Sequence, residues 1–267
     1  ERTYMPKNGV LKVPSEYFDP VTHDSVSDAA VHQIEALILN GVLRGGAKLP
    51  GERELAEQFA ISRPKVREAL QKLEDRDLVE ITRGDGAYIT QLGAAAMSPA
   101  LINLYKRHPS AIYDHLEYRR EQESFAARLA ASRSTKVDRS VITELLAAMT
   151  EAHVSDDHKL GDELDSRFHA SVVNASHNRI LIHMMTSLYE LNRSGLFFSR
   201  REILNIEEVS EFLLNQHHAI GEAICSGQVE NASEAAAAHI DFVILSTSEA
   251  LSERERESVS EKRKLII

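Results

Sequence analysis

The chain predicts a mainly α protein in two parts, an N-terminal winged helix-turn-helix followed by a C-terminal antiparallel all-α helical bundle. Three observations carry that prediction. Apolar residues recur at helical spacing in two short, adjoining segments between Leu49 and Leu78. Two β-prone tetrapeptides around a glycine-containing loop come directly after them. From Leu101 to about Ser252, helical patterns then follow one another on short connections, with no strand pattern among them.

Residues 1–25 hold three prolines and little periodicity, and read as an N-terminal arm. Residues 26–92 form the expected winged domain. Ser27 offers a cap to a first helix running to about Asn40, with Ala30, Ile34, Leu37 and Ile38 turned inward, and Gly41, Gly45 and Gly46 end it. Leu55, Ala56 and Phe59 share one face of a second helix. Val66, Ala69, Leu70 and Leu73 share one face of a third. Ala60-Ile61 is too short a link to let the chain wander, so these two helices must cross steeply. Ser62 can cap the third helix, and Pro64 is tolerable in its first turn, where backbone donors lack partners anyway. Val79–Thr82 and Ala87–Thr90 then read as strands joined by Arg83-Gly84-Asp85-Gly86, whose glycines permit the positive φ angles of a tight hairpin.

Residues 93–99 are small and read as a compact linker. The bundle is expected over 100–252, with helices at Ser110–Ser132, Lys136–Val154, Asp156–Ala175, Asn178–Ser194, Asn205–Ser226 and Asn231–Leu251. Residues 253–267 alternate charge signs and form a charged tail, expected as a solvated helix end or disordered chain.

Composition narrows the function. At 267 residues the chain can bury two cores, and its 43% apolar content contains no run long enough to cross a bilayer. The first ten residues lack the apolar core of a signal peptide. Cys225 is the only cysteine, which excludes an internal disulfide and a thiolate metal cluster and fits a reducing cytoplasm. A net charge of −10 argues against a general nucleic-acid coat. It leaves room for a local reader, because salt screens charge beyond about 10 Å. Residues 44–67 carry six Lys or Arg against three Glu, so the basic excess is local.

On the third helix, burying Val66 and Leu70 leaves Arg63 and Arg67 one turn apart on the outer face, with Lys65 beside them near the positive end of the helix dipole. Arg53, Arg63 and Arg67 are the expected principal DNA contacts, Lys65 a phosphate contact, and Gly86 the point where the wing backbone approaches the duplex. In the bundle, Asp165 and His169 lie one helical turn apart, while His217 and His239 fall on two later helices. One carboxylate with three imidazoles suits a divalent metal, zinc first and nickel or manganese as alternatives, with positions left for an anion. Among twelve histidines a chance i, i+4 pair is also unsurprising. His218 points about 100° away from His217 around the helix and is set aside as a ligand.

A resemblance sharpens both halves. Gly46-Ala47-Lys48-Leu49-Pro50, Glu52-Arg53-Glu54-Leu55-Ala56, Ser62-Arg63, Val66-Arg67-Glu68-Ala69-Leu70, Leu73 and Gly84-Asp85-Gly86 resemble the N-terminal domain of GntR-family transcription regulators. Arg119-Arg120, Glu123, Ala126–Ala131, Asp165-Ser166-Arg167-Phe168-His169, Asn178, His217–Ile220 and His239-Ile240 resemble the FCD effector domain of the FadR-type subgroup. That resemblance implies a divalent metal on Asp165, His169, His217 and His239, and a small carboxylate effector held with Arg119. One winged domain makes too few contacts for selective binding in a genome, so a homodimer reading a pseudo-palindromic double-stranded DNA operator is expected. The chain departs from the pattern at Gly51 (commonly Ser or Pro), Asp77 (commonly glycine), Asp85 (a negative charge in the wing tip) and Gln122 (commonly apolar).

The expected function is therefore a ligand-responsive DNA-binding regulator, not an enzyme. Two alternatives stand beside it. A metal-dependent hydrolase fused to a DNA-binding domain would use the metal to activate water, but no motif places a general base. A bundle that only dimerises would bind neither metal nor acid.

Overall fold

A computed structural model of the chain describes residues 25–90, 104–105, 107–108, 111–193 and 207–264, without the side chains of 190–193, 207–208 and 254–255. Of the expected arm only Ser25 is described, and the linker at 93–99 lies outside the described residues. The architecture is mainly α, a winged helix-turn-helix followed by a helical bundle.

The winged domain comprises α1 (Val26–Leu39), α2 (Glu52–Phe59), α3 (Arg63–Glu74), β1 (Val79–Thr82) and β2 (Gly86–Ile89). Its core closes because each helix contributes one apolar stripe: Val31, Ile34 and Ile38 from α1, Leu55 from α2, and Val66, Ala69, Leu70 and Leu73 from α3. Three details differ from expectation. The cap of α1 is Ser25, in a reciprocal pair with Asp28, because Ser27 is buried and donates instead to Glu68 Oε1 at 2.7 Å. Leu37 is exposed. The cap expected from the Ser62 side chain also fails to form, although Pro64 does sit in the first turn of α3.

Ala60, between α2 and α3, adopts a left-handed φ of 53°, which lets the Ala60 amide close onto Glu57 and the Ile61 amide onto Ala56. The wing is antiparallel, with Val79 opposite Ile89 and Thr82 opposite Gly86. Residues 46–49 flank β2 on its other side: the Leu49 amide donates to the Ala87 carbonyl, and the Ile89 amide to that of Ala47. Gly84 (φ 82°) and Gly86 (φ 136°) take the conformations that favour glycine. Asp77 takes φ 57°, which is why glycine serves at that position and why aspartate, tolerant of the left-handed region, can replace it.

The bundle comprises α4 (Ala111–Arg133), α5 (Lys136–Val154), α6 (His158–Ala175), α7 (Arg179–Arg193), α8 (Glu207–Cys225) and α9 (Val229–Lys264). Thr135 and Asp138 cap α5 reciprocally. The middle of the bundle is α4, which packs on α9, α6 and α8. Its inward stripe of Ala126, Ala127, Ala130 and Ala131 lets α9 approach closely through Ala232 and Ala236. A second close approach joins α5 and α8, where a Cβ on Gly221 would stand 2.5 Å from Leu146 Cδ1. Helix α9 does not stop near Leu251 but continues unbroken through the charged tail to Lys264. Its last turns are solvated, as a run of alternating charges requires.

Candidate functional site

Two places concentrate chemistry. The first is the outer face of α2 and α3. Burial of Val66 and Leu70 leaves Arg63 and Arg67 61% and 66% exposed. Neither extends freely. Arg67 Nε and one terminal nitrogen donate to Glu52 at 3.0 and 2.7 Å, and Arg63 lies 3.7 Å from the same carboxylate. Glu52 therefore gathers two arginines onto one point of the surface. Lys65 pairs with Glu68 at 2.8 Å, and Arg53 with Glu57 at 3.2 Å. In the wing tip Asp85 is clasped by Lys48 at 2.6 Å and by the Tyr88 hydroxyl at 2.7 Å, so its charge is largely balanced. Gly86 is accounted for by its φ and by the Lys48 side chain, which would lie 3.2 Å from an added Cβ.

The second place is buried in the bundle. Asp165 and His169 on α6 project together, as their spacing predicts, and His217 on α8 and His239 on α9 meet them. Asp165 Oδ1 lies 3.1 Å from His217 Nε2 and 3.7 Å from His169 Nε2, and the two imidazole nitrogens are 3.3 Å apart. One ligand nitrogen from each of His169, His217 and His239 falls within 4.8 Å of the other two. Phe168 wedges edge-on against the rings of His169 and His217 and is fully buried, which fixes their planes. His218 faces elsewhere, 3.0 Å from Thr150 Oγ1.

The outer ring nitrogens explain the orientation. Glu123 Oε2 accepts from His169 Nδ1 at 2.6 Å, and Gln216 Oε1 accepts from His239 Nδ1 at 3.1 Å. Each acceptor fixes a tautomer that leaves Nε2 with its lone pair. Neither residue was assigned a role from the sequence. Glu123 falls in the stretch that resembles the FCD domain, eight residues after His115 and four after Arg119 on one face of α4, and that spacing is the signal for it.

Electrostatics follow from burial. Burial would raise the Glu123 carboxyl, but Arg119 and His169 outweigh it and lower it to about 2. Burial would lower His169, yet the Glu123 and Asp165 carboxylates hold it above its usual value. His239 is pushed well down by burial and by the two neighbouring histidines. Burial, with Arg119 beside it, lowers His115 to about 4. Arg119 itself donates from Nε to Glu123 and stacks over the Tyr189 ring at 5.9 Å. Its partner in this structure is thus an internal carboxylate.

Two family descriptions divide the chain where the fold divides. "Bacterial regulatory proteins, gntR family" matches residues 26–89, and "FCD domain" matches residues 114–242. An Escherichia coli (strain K12) protein named for regulation of the L-lactate dehydrogenase operon is 34% identical over 223 residues, 82% of this chain and 84% of that protein. This chain belongs to the GntR family. The Glc operon transcriptional activator of the same strain is 31% identical over 82% of this chain and 87% of its own. The Bacillus subtilis (strain 168) transcriptional regulator LutR is 32% identical over 78% and 94%. This GntR-family chain is accordingly a DNA-binding transcription regulator and not an enzyme, which removes the hydrolase alternative. Among the described residues no helix is long and apolar enough to cross a membrane.

Proposed function

We propose that the regulator senses a small 2-hydroxy or 2-oxo acid through a divalent metal held by Asp165, His169, His217 and His239, and passes the signal to a homodimeric pair of winged domains. The observation that carries the reading is the convergence of the half-buried Asp165 with the buried His169 and His217 at 3.1–3.7 Å. Zinc bonds to nitrogen and oxygen of about 2.0–2.1 Å put tetrahedral neighbours about 3.3 Å apart. The donor set therefore fits such an ion, with zinc first and nickel or manganese as alternatives. Glu123 and Gln216 supply the outer acceptors that orient metal-binding histidines. A bare dimerisation bundle has no need of three histidines and an aspartate at such a convergence.

A bound ion would supply Lewis-acid capture of the carboxylate and 2-oxygen of the acid. The chain's own residues do the rest. Phe168 excludes water from one side. The terminal nitrogens of Arg119 remain as donors for a charge-assisted bond, while its Nε stays on Glu123. A relative named for the L-lactate dehydrogenase operon supports an acid of that size. On the DNA side, Arg53, Arg63 and Arg67 read the operator, Lys65 holds phosphate, and Gly86 shapes the wing. One winged domain makes too few contacts to select a genomic site, so two copies read a pseudo-palindrome.

The test is elemental analysis of protein purified without chelator, with calorimetry against L-lactate on the same samples. The parent should carry one ion per chain and bind the acid only when loaded. His169→Ala should lose both. Arg119→Lys should keep the ion and lose the acid, and it is cleaner than Arg119→Ala, which would strip Glu123 of its counter-ion. Full metal content in His169→Ala, or equal acid binding by metal-free protein, would sink the reading.

A further inference from the structure

A single helix runs from the histidine site to the winged domain. At the C-terminal part of α7, the Tyr189 hydroxyl donates to Glu123 Oε1 at 3.1 Å, on the same carboxylate whose Oε2 holds His169 Nδ1. At its N-terminal end, α7 touches the winged domain three times. Arg179 Nε donates to Asn40 Oδ1 at 2.8 Å. His183 Nε2 donates to the Leu39 carbonyl at 3.1 Å. Ile182 lies so close to Gly41 that an added Cβ would stand 2.8 Å from its Cγ2, at a residue whose φ of 70° already favours glycine. Asn40 and Gly41 close the end of α1, where the Gly41 amide donates to Ile38 and the Val42 amide to Leu37.

We propose that α7 is the coupling element of this regulator, a rigid rod gripping the histidine site through Tyr189 and the end of α1 through Arg179, Ile182 and His183. Ten residues of helix separate Arg179 from Tyr189, a rise of about 15 Å. Between them Leu181, Ile182, Met185 and Leu188 are buried, so the helix shifts as a body and does not bend at one side chain. A change at Glu123 and His169 tilts or slides α7, and its other end repositions α1. Through the α1–α3 packing that movement reaches Arg63 and Arg67. This device rests on the metal-and-acid reading for its natural trigger, but its mechanical linkage is independent of it.

Two measurements on the full chain separate the linkage from the trigger. Tyr189→Phe removes one hydroxyl at the far end. Amide hydrogen exchange at Asn40, Gly41, Val42 and Leu43 should become faster than in the parent, while amides in α3 stay as they were. Arg179→Ala is the positive control, because it breaks the near end directly. If Tyr189→Phe leaves those four amides at parental rates while the control accelerates them, α7 is a passive contact and the proposal is wrong. In the second measurement, affinity for a duplex selected from a random pool by the parent is taken with and without Zn²⁺. The parent ratio should fall in the range of roughly 5- to 150-fold. Arg179→Ala should bring it to about 1 with zinc uptake unchanged. A parental ratio in Arg179→Ala overturns the coupling. A parent that takes up no zinc overturns the site reading instead, and the exchange measurement then decides the linkage alone.

Discussion

Glu123→Gln tests the buried network at its centre. Glu123 is 5% exposed and serves Arg119, His169 and Tyr189 at once. Its carboxyl is lowered from an ordinary 4.5 to about 2 in the folded chain. At about 1.4 kcal/mol for each unit, that difference is worth about 3 kcal/mol of bundle stability at neutral pH. A second route gives a similar figure, since stripping one partner from a buried ion pair costs about 3–5 kcal/mol. Glutamine keeps one acceptor, so the lower end applies. The sign in pH follows from the lowered pKa. The contribution is fully present above 4.5 and is lost as pH falls toward 2, so parent and variant should converge over that window. Urea unfolding of metal-free protein, followed by far-ultraviolet circular dichroism at pH 7 and at steps below 4.5, measures the gap. A gap under about 0.5 kcal/mol at pH 7, or one that does not narrow in acid, refutes this account of the network.

Three further outcomes are expected. Arg63→Ala and Arg67→Ala should each cost about 1–3 kcal/mol of operator affinity and relax selectivity at one base pair, by fluorescence anisotropy with wild-type and mismatched duplexes; parental binding by both would remove α3 as the reader. Lys65→Ala should weaken all sequences alike and reduce the slope of log affinity against log salt by about 0.9; an unchanged slope would place Lys65 off the phosphates. Zinc uptake should release protons and weaken as pH falls below about 6, because the ligands bind metal as neutral imidazoles and the carboxylates beside His169 favour its protonated form. Calorimetry in two buffers of different ionisation enthalpy reads that release, and identical heats would contradict it.

Much of the fold was legible because helical periodicity is local. Lys136–Val154 was placed at both ends, and α4, α6, α7 and α8 within about two residues. The errors are where tertiary structure outranks local pattern. Ser27 looks like a cap, but Glu68, 41 residues away, takes its hydroxyl, and Ser25 does the capping. Helix α9 does run past Leu251, which is the solvated helix end that the charged tail allowed, and opposite charges three residues apart, such as Glu253 and Arg256, favour it. At the buried site, Asp165 and His169 announce themselves by spacing, whereas His217 and His239 stand on two separate later helices whose meeting no local spacing can show. Gln216 and Tyr189 gave no signal, since their roles depend on which helices meet. The pairing of Arg67 with Glu52 was hidden for the same reason, being a contact between two helices across a turn.

Gly221 has a bearing on accuracy that its lack of side chain conceals. It sits on α8 one turn after His217, with α5 pressed so close that even a methyl group would meet Leu146 at 2.5 Å. That contact sets the height of α8 above its neighbour. Metal coordination tolerates errors of only about 0.2 Å in bond length. A backbone lifted by the width of one methyl group would carry the His217 nitrogen outside that margin while disturbing no polar bond. The geometry that the proposed ion would need thus depends partly on Gly221, a residue that brings no side-chain donor and no charge to the histidine site.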